Sequence, residues 1–262
     1  MSRDSRFRLH RHVAHRLSVE VSERSGVRYL HLGSETIQSA MRVARPNDLE
    51  LSYTRCMLAF LLFVPPPRQV VMIGLGGGSL AKFMHARMPD TRVTAVEIHP
   101  QVVAAARQFF ELPEVSERLT VEIGDGAAFV QSVAGGADAL LVDGYGTDGS
   151  APELTTATFY EDCERALSDN GVLVANLFTG KPGLDSHLRL LEHAFPGRLL
   201  HLTDEHGGNL IVMAFVSAQG RPSWKSLRCR ARELEARYGL EFPVFVERLK
   251  QRNRHDPGHL FI

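Results

Sequence analysis

The first part of the chain alternates apolar and polar residues with the period of two that half-buried β-strands show. The alternation runs from about Leu17 to Met41 and is interrupted by two Ser/Gly pairs, which are typical of turns. The pattern therefore predicts a small antiparallel β-meander. Its three strands are LSVEVSE, SGVRYLHLG and ETIQSAM.

A different pattern begins at Gln69, where short apolar runs alternate with segments of helical periodicity. Strand–helix alternation of this kind favours a parallel, doubly wound sheet with helices on both faces. A helical segment over Tyr53–Val64, closed by three consecutive prolines, precedes it. The predicted strands are QVVMIG, TRVTAVEI, LTVEIGD, ADALLVD and GVLVANLF, and the predicted helices include SLAKFMHARM, PQVVAAARQFF and Leu184–Ala194.

The parallel sheet is predicted to end in a hairpin. RLLHLTD and NLIVMAFVS are strand-like and are joined by the tight polar stretch Glu205–Gly208, so one of the last strands must run antiparallel. This ending is typical of a class I methyltransferase-like (Rossmann-like) α/β fold and not of an all-parallel dinucleotide-binding fold. We expect the arm and meander over residues 1–52, the Rossmann-like domain over 53–220 and a helical extension over 221–262, with helices at Trp224–Tyr238 and Pro243–Arg252.

Composition limits the partners of this fold. Hydrophobic residues make up 44% of the 262 positions and charged residues 23%, which is typical of a soluble globular protein. Lys+Arg and Asp+Glu both number 30, so no net field attracts nucleic acid or a membrane. The apolar run Met57–Val64 is shorter than the ~20 residues that span a bilayer. We therefore expect a cytoplasmic protein without nucleic-acid or membrane partners.

The first residues of the chain and its three cysteines give further indications of location and metal binding. The arginine-rich start of the chain is interpreted as a solvated arm, and it contains no apolar segment of the kind that begins a secretory signal. Cys56, Cys163 and Cys229 lie far apart and lack metal-ligand spacing, which indicates a reducing compartment and no bound metal.

Candidate chemistry begins with the glycine-rich loop in VVMIGLGGGSL. Gly74, Gly76 and Gly78 follow the first strand of the parallel sheet, and Ser79 opens the next helix. Glycines at these positions permit the positive φ values and close backbone approach that a nucleotide requires. Taken alone the loop is weak evidence, because any tight strand-to-helix turn can use glycines.

Acidic residues at the ends of three successive strands narrow the choice of nucleotide. Glu97 ends the second strand and is placed to bind both hydroxyls of a ribose. Asp125, followed by Gly126, ends the third, where it can accept a hydrogen bond from the N6 amine of adenine. Asp143 ends the fourth strand, beside the reactive end of the ligand. An acid at position 125 favours an S-adenosyl ligand over NAD, and no Walker-type phosphate loop is present.

These motifs together resemble the spermidine synthase family, the aminopropyltransferases, over nearly the whole chain. The resemblance implies transfer of an aminopropyl group from decarboxylated S-adenosylmethionine to a small amine in polyamine biosynthesis, by a homodimer or homotetramer. The motifs that carry it are IQS at 37–39, Tyr53, MIGLGGGSL, VTAVEIHP, VEIGDGAAF, ALLVDGYG and TATFY at 156–160.

The resemblance also implies roles for individual residues. Gln38, Glu97, Asp125 and the glycine loop would hold the adenosyl co-substrate. Asp143 would be the catalytic carboxylate, which takes a proton from the attacking amine. Tyr53, Tyr145 and Asp148 are candidates for orienting a polar substrate.

The chain also departs from the family pattern. Ser79 replaces an aspartate that contacts the amine of the co-substrate, Gly146 replaces a second acid, and Thr54 and Arg55 replace a histidine and a glutamate. Four hypotheses about the function therefore stay open at this point: an aminopropyltransferase, an S-adenosylmethionine-dependent methyltransferase, a non-catalytic nucleoside-binding relative and, least favoured, an NAD-dependent oxidoreductase.

Overall fold

The N-terminal part of the protein is a four-stranded antiparallel sheet. The computed structural model describes residues 7–14, 17–133, 135–144, 151–180 and 183–262. The strands pair in chain order, and Ser25 and Gly26, both with positive φ, form the two-residue turn between the second and third strands. The strands are β1 (Phe7–Ala14), β2 (Leu17–Arg24), β3 (Val27–Leu32) and β4 (Ile37–Arg42).

The three strands predicted from alternation correspond to β2, β3 and β4, and the predicted meander is confirmed. Within the chain start that was interpreted as a solvated arm, residues 7–14 form a strand, β1, which pairs with β2 from Phe7↔Glu23 to Ala14↔Leu17. Strand pairing uses backbone N–H and C=O groups, so a sequence rich in charged side chains does not prevent it.

The predicted helix over Tyr53–Val64 is shorter than expected. It consists of α1 (Ser52–Cys56) and a separate 3₁₀ turn (Ala59–Leu62). Every residue from Cys56 to Leu61 has no exposed surface. A segment buried on all sides has no amphipathic period that could reveal a break in the helix.

The main domain is built on a seven-stranded sheet in the order β10-β11-β9-β8-β5-β6-β7. Strands β5 to β9 are parallel, while β11 runs antiparallel to both of its neighbours, which confirms the predicted C-terminal hairpin. The strands are β5 (Gln69–Ile73), β6 (Arg92–Glu97), β7 (Leu119–Ile123), β8 (Ala137–Val142), β9 (Leu167–Phe178), β10 (Leu199–Thr203) and β11 (Asn209–Phe215).

Helices cover both faces of this sheet, as the alternating burial of β5 shows. Val70 and Met72 join the apolar core on one face, while Val71 and Ile73 join the core on the other. None of the described helices is long and apolar enough to cross a membrane. The helices are α2 (Ser79–Arg87), α3 (Pro100–Phe109), α4 (Gly126–Ser132), α5 (Ala157–Ala166), α6 (Leu184–Ala194), α7 (Trp224–Tyr238) and α8 (Phe242–Arg252).

The two C-terminal helices pack on the same core as the sheet. Trp224 of α7 and Phe245 of α8 are buried in one apolar cluster with Phe60 of the 3₁₀ turn. Just past α8, the side-chain amide of Asn253 donates to the carbonyl of His201 at 2.7 Å and accepts from the N–H of the same residue at 2.7 Å. His201 lies in the outermost strand, β10, so the extension is attached to the edge of the sheet.

Candidate active site

A cavity of about 590 Å³ opens at the carboxyl ends of the parallel strands. It lies beside β5, which has β6 as its neighbour on one side and β8 on the other. The strand order reverses at this point, and open α/β sheets bind ligands at such a reversal. Backbone hydrogen bonds hold the strand ends together: Gly74 N–H donates to Val96 O at 2.8 Å, and Asp143 N–H donates to Ile73 O at 2.9 Å.

The glycine loop needs glycine for two different reasons. A Cβ atom on Gly74 would lie 2.4 Å from the carbonyl oxygen of Asp143, so only glycine lets the loop approach the end of β8. Gly78 has φ +73° at the start of α2, where its missing Cβ leaves room for the side chain of Leu112. Gly74 and Gly76 line the large cavity, whereas Gly78 does not.

Ser39 of β4 connects the meander to the glycine loop. Its hydroxyl accepts a 2.8 Å hydrogen bond from the N–H of Gly77, and a Cβ on Gly76 would lie 2.5 Å from the same hydroxyl oxygen. Ser39 is buried at 6% exposure. Sequence reasoning did not include Ser39 among the site residues, although its neighbour Gln38 was predicted and lines the cavity.

Glu97 is a buried carboxylate at the end of β6, where it was predicted. Its Oε2 accepts from the N–H of Leu75 at 3.1 Å and its Oε1 accepts from the N–H of His99 at 2.9 Å. A carboxylate offers about four acceptor positions. Glu97 therefore keeps acceptor capacity on the cavity side for two vicinal hydroxyl groups.

Asp125 lines the cavity and also begins a helix. Its Oδ1 accepts from the N–H of Ala128 at 2.9 Å, which makes it the N-cap of α4. The two roles are compatible, because the other carboxylate oxygen remains for a ligand. Gly126 is packed against Ile73, whose methyl carbon would lie 2.4 Å from an added Cβ.

Asp143 lies at the end of β8 and faces the cavity. Its Oδ1 accepts a 2.7 Å hydrogen bond from the side-chain amide of Asn176. Burial raises the pKa of Asp143 to about 6, and hydrogen bonds from Asn176 and Tyr53 oppose that rise. The carboxylate is thus ionised at neutral pH and poised to accept a proton.

Hydrogen bonds also connect Asn176 to polar residues of the β10–β11 hairpin. The amide nitrogen of Asn209 donates to Oδ1 of Asn176 at 2.8 Å. The backbone N–H of Asn209 donates to Oδ1 of Asp204 at 2.9 Å, and the hydroxyl of Ser52 donates to Oδ2 at 2.7 Å. Burial acts to raise the pKa of Asp204, but these hydrogen bonds outweigh it, so the pKa lies below its usual value.

The cavity wall is strongly acidic. Among the described residues that line it, Arg55 is the one lysine or arginine. Its guanidinium is paired with Glu241 at 2.7 Å and with Glu205 at 3.6 Å, and it also donates to the carbonyl oxygen of Glu50. The acidic residues of the wall are Glu50, Glu97, Asp125, Asp143, Glu153, Asp204 and Glu205.

The structure brings most of the predicted site residues to this cavity. Tyr53 lines it, and its hydroxyl donates to the carbonyl of Gln38 at 3.3 Å. Ser79 instead lines a smaller adjacent pocket, which it shares with Tyr53 and Asp143. Two predicted residues, Tyr145 and Asp148, lie outside the described residues.

Several residues of the site carried no recognised motif. Asn176 is a polar residue within the apolar strand segment VLVANLF and is buried at 2% exposure. A polar residue inside an apolar strand needs a hydrogen-bond partner, so this pattern could have indicated a site residue. Asp204 and Asn209 flank the hairpin turn, where polar residues are expected in any protein. Only the three-dimensional contacts distinguish them from ordinary turn residues.

The fold and cavity define a Rossmann-like protein of the methyltransferase and spermidine synthase type. A probable spermidine synthase from Corynebacterium glutamicum superimposes with a TM-score of 0.72 over 94% of this chain and 96% of that chain, at 20% identity. Human methyltransferase-like protein 13, solved in complex with SAH, superimposes with a TM-score of 0.63 over 79% of this chain and 96% of that chain, at 25% identity.

Sequence comparison identifies the family. The spermine/spermidine synthase domain matches residues 50–188. The polyamine aminopropyltransferase of Chromobacterium violaceum is 48% identical over 244 residues, which cover 93% of this chain and 94% of that protein. The polyamine aminopropyltransferase of Neisseria meningitidis serogroup B is 39% identical over 245 residues, which cover 93% of each chain. The chain belongs to the spermine/spermidine synthase family, and the predicted family and transferase class are confirmed.

Proposed function

We propose that this protein transfers the aminopropyl group of decarboxylated S-adenosylmethionine to a small amine, as a step in polyamine biosynthesis. The observation that carries the proposal is the placement of Asp143, a carboxylate facing the cavity and held by Asn176 and Tyr53. The identity to two polyamine aminopropyltransferases over 93% of the chain supports it.

The proposed co-substrate site runs from the glycine loop to the start of α4. Glu97 accepts hydrogen bonds from the two ribose hydroxyls, and Asp125 accepts one from the adenine amine. Gly74 and Gly76 let the backbone pass close to the ligand, and Gln38 covers it from the meander. The same set of residues would hold S-adenosylmethionine, so it supports an S-adenosyl nucleoside without distinguishing which group is transferred.

The proposed reaction is an in-line substitution. The lone pair of the acceptor nitrogen attacks the propyl carbon attached to the sulfonium, a C–N bond forms, and the C–S bond breaks. Its electron pair stays on sulfur and gives neutral methylthioadenosine. The nitrogen then carries an excess proton, which Asp143 accepts. General base catalysis of this kind contributes roughly 10²- to 10⁴-fold in rate, and positioning of the two substrates supplies much of the rest.

The acceptor is proposed to be a small amine with a second cationic group. A buried ammonium is costly unless it is paired with an acid. Glu50, Glu153 and Glu205 supply carboxylates at the cavity wall, although Glu50 is paired with Arg42 at 2.6 Å and Glu205 with Arg55 at 3.6 Å. Arg55 is shared between Glu205 and Glu241, and Glu241 lies outside the wall, so Arg55 offsets only part of the acidic charge.

Methyl transfer is the second candidate, and Ser79 is the observation that favours it. An aspartate at that position would repel the carboxylate of intact S-adenosylmethionine, whereas a serine can donate a hydrogen bond to it. The methyltransferases of mouse and Xenopus laevis match less of the chain, 52% and 78%, than the 93% matched by the two polyamine aminopropyltransferases. The mouse eEF1A lysine and N-terminal methyltransferase is 34% identical over 146 residues, which are 52% of this chain and 21% of that protein.

The test compares two ligands and then follows a product. Isothermal calorimetry with decarboxylated and intact S-adenosylmethionine should give tighter binding of the decarboxylated form, and NADH should not raise the melting temperature. Turnover with a panel of mono- and diamines should release methylthioadenosine. Equal or tighter binding of the intact form, with release of S-adenosylhomocysteine, would assign methyl transfer instead.

A homodimer or homotetramer and a cytoplasmic location complete the proposal. Strand β1 is at the edge of the four-stranded sheet, and edge strands offer backbone groups to a second chain. Cys56, Cys163 and Cys229 are all free, which supports a reducing compartment. Light scattering coupled to gel filtration measures the oligomeric state directly, and a monomer at micromolar concentration would contradict the assembly.

A further inference from the structure

We infer that Asn209 is a positioning residue for the reaction, acting on Asp143 through the side-chain amide of Asn176. The inference rests on the proposed function, because that function gives the Asp143 carboxylate its task. The inference adds that a residue of the β10–β11 hairpin, Asn209, helps to position the Asp143 carboxylate. No motif of the sequence marked Asn176 or Asn209 for this role.

The contacts form a chain of donors that points toward Asp143. The amide nitrogen of Asn209 donates to Oδ1 of Asn176 at 2.8 Å, and the amide nitrogen of Asn176 donates to Oδ1 of Asp143 at 2.7 Å. Asn209 pairs with Phe178 across β11 and β9, so Asn209 and Asn176 are diagonal neighbours on one face of the sheet.

The direction of these amides follows from the chemistry of Asp143. An ionised carboxylate only accepts hydrogen bonds, so Asn176 must present its NH₂ group to it. The oxygen of Asn176 then faces Asn209, which must present its own NH₂ group in turn. Asn209 thereby prevents the Asn176 amide from turning over and placing an oxygen against the carboxylate.

A second pair of hydrogen bonds links Asn209 to α1, the helix that carries Tyr53. The backbone N–H of Asn209 donates to Asp204, and the hydroxyl of Ser52 donates to the same carboxylate. Ser52 is followed by Tyr53, whose side chain acts to lower the pKa of Asp143. Asp204 is 7% exposed, and its two oxygens accept from Ser52 of α1 and from Asn209 of the hairpin, so it anchors these two elements to each other.

Over the part of the chain that the structure describes, the groups that face Asp143 come from β9, from α1 and from the cavity wall. Asn176 comes from β9 and bonds the carboxylate directly, and Tyr53 comes from α1 and acts to lower the pKa of Asp143. The same cavity wall carries the titratable side chains of Glu50, Glu97, His99, Asp125, Glu153, Asp204, Glu205 and His206, together with Arg55. Substitutions at position 209 leave all of these in place.

A set of variants at position 209 tests the inference. Asn209→Ala removes the side-chain donor but keeps the backbone N–H that Asp204 accepts. We expect the titration midpoint of Asp143 to rise by about half a pH unit to one unit, the size of one lost hydrogen bond. Asn209→Asp offers a second carboxylate to the Asn176 amide, so the midpoint should rise further. Thr179→Val is the matched control, because Thr179 donates to the carbonyl of Gly207 in the same hairpin without touching Asn176.

The midpoint is measured in two independent ways. Carbon NMR of protein labelled at the aspartate carboxyl, with Asp143→Asn used for assignment, reports the titration without any turnover. The pH dependence of kcat/KM for aminopropyl transfer reports it during catalysis. The expected order of midpoints is wild type equal to Thr179→Val, then Asn209→Ala, then Asn209→Asp.

Two results would overturn the inference. One is an Asp143 midpoint in Asn209→Ala that equals that of wild type by NMR. The other is an equal shift in Thr179→Val, which would indicate a general loosening of the hairpin. If the NMR order holds while wild type releases no methylthioadenosine with any amine, the positioning of Asp143 stands and the proposed aminopropyl transfer fails.

Discussion

The hydroxyl of Ser39 accepts the N–H of Gly77 at 2.8 Å, and this contact joins the N-terminal meander to the glycine loop of the Rossmann-like domain. Ser39 is buried, and Gly76 beside it has no room for a side chain. The loop conformation therefore depends on a residue from a different sheet. The meander is part of the proposed co-substrate site and not only an appendage.

Ser39→Ala is expected to weaken binding of the S-adenosyl ligand. The substitution leaves the Gly77 N–H buried without its acceptor, which costs about 1–3 kcal/mol and loosens the loop before the ligand binds. Calorimetry should show a Kd increase of roughly tenfold, with kcat changed less. Ser34→Ala is the control, since Ser34 also accepts a backbone N–H in the meander but is exposed. An unchanged Kd in Ser39→Ala would remove the loop contact from ligand binding.

Asp143→Asn is expected to abolish most of the turnover while leaving ligand binding intact. The amide keeps the shape of the side chain but cannot take the proton of the acceptor. We expect kcat to fall by roughly 10²- to 10⁴-fold and the Kd of the S-adenosyl ligand to stay within about twofold of wild type. Rapid-quench assays of methylthioadenosine and calorimetry on the same samples measure the two quantities. A kcat close to that of wild type would exclude Asp143 as the base.

The pH–rate profile should show a break near pH 6. An aliphatic amine has a pKa of roughly 10, so kcat/KM falls about tenfold per pH unit below that value. The pKa of Asp143 is raised to about 6 by burial. Below pH 6 its protonation adds a second tenfold fall per unit, and log kcat/KM against pH steepens from a slope of one to two. A single slope down to pH 5 would contradict the assignment.

Ser79→Asp is expected to increase the preference for the decarboxylated ligand. Position 79 begins α2 and lines the small pocket beside Asp143. A carboxylate is favoured at a helix N-terminus, and it would attract the ligand's ammonium and repel the carboxylate of intact S-adenosylmethionine. The ratio of the two Kd values should rise about tenfold, the effect of one charge-assisted hydrogen bond. Ser79→Asn, which adds the same volume without charge, should leave the ratio near that of wild type.

Lys82 predicts a pH dependence of stability that is unrelated to catalysis. Its ammonium is 1% exposed and donates to the carbonyl of Phe110 at 2.6 Å. Burial lowers the pKa of Lys82 to about 8, and the charge of Glu111 opposes this fall. Between pH 8 and 10.5 the unfolded chain keeps a proton that the folded protein has lost, so this group makes the protein more stable as pH rises.

The corresponding experiment compares wild type with Lys82→Met by chemical denaturation. Relative to Lys82→Met, wild type should gain about 3 kcal/mol in the free energy of unfolding between pH 7 and pH 10.5. Lys225→Met serves as the control, because Lys225 is exposed on α7. A difference that does not vary with pH would mean that Lys82 titrates at its ordinary value.

The parallel strands of the main sheet, its terminal hairpin and the clustering of the acids follow from local signals. Each parallel strand is an apolar run, and the alternation with helices fixes where the strands end. Glu97, Asp125 and Asp143 were therefore predicted to meet at one edge, and all three line the cavity. Their catalytic and binding roles remain proposals, as does the division at residues 52 and 220.

The parts that the sequence did not reveal depend on tertiary contacts. The pairing of Asn209 with Asn176 requires the register of β11 against β9. The contact of Ser39 with Gly77 joins residues in two separate sheets. The break between α1 and the 3₁₀ turn was hidden because each residue from Cys56 to Leu61 is buried, so that no periodicity remained.

The attachment of Asn253 to the outermost strand also affects how the molecule behaves in a crowded solution. An amide that accepts from His201 N–H and donates to His201 C=O occupies both backbone groups as a neighbouring strand would. Free strand edges recruit strands from other molecules and lead to aggregation. The residue after α8 thus occupies the backbone groups of His201 on the edge strand β10, and it leaves neither of them available for intermolecular β-pairing at that position.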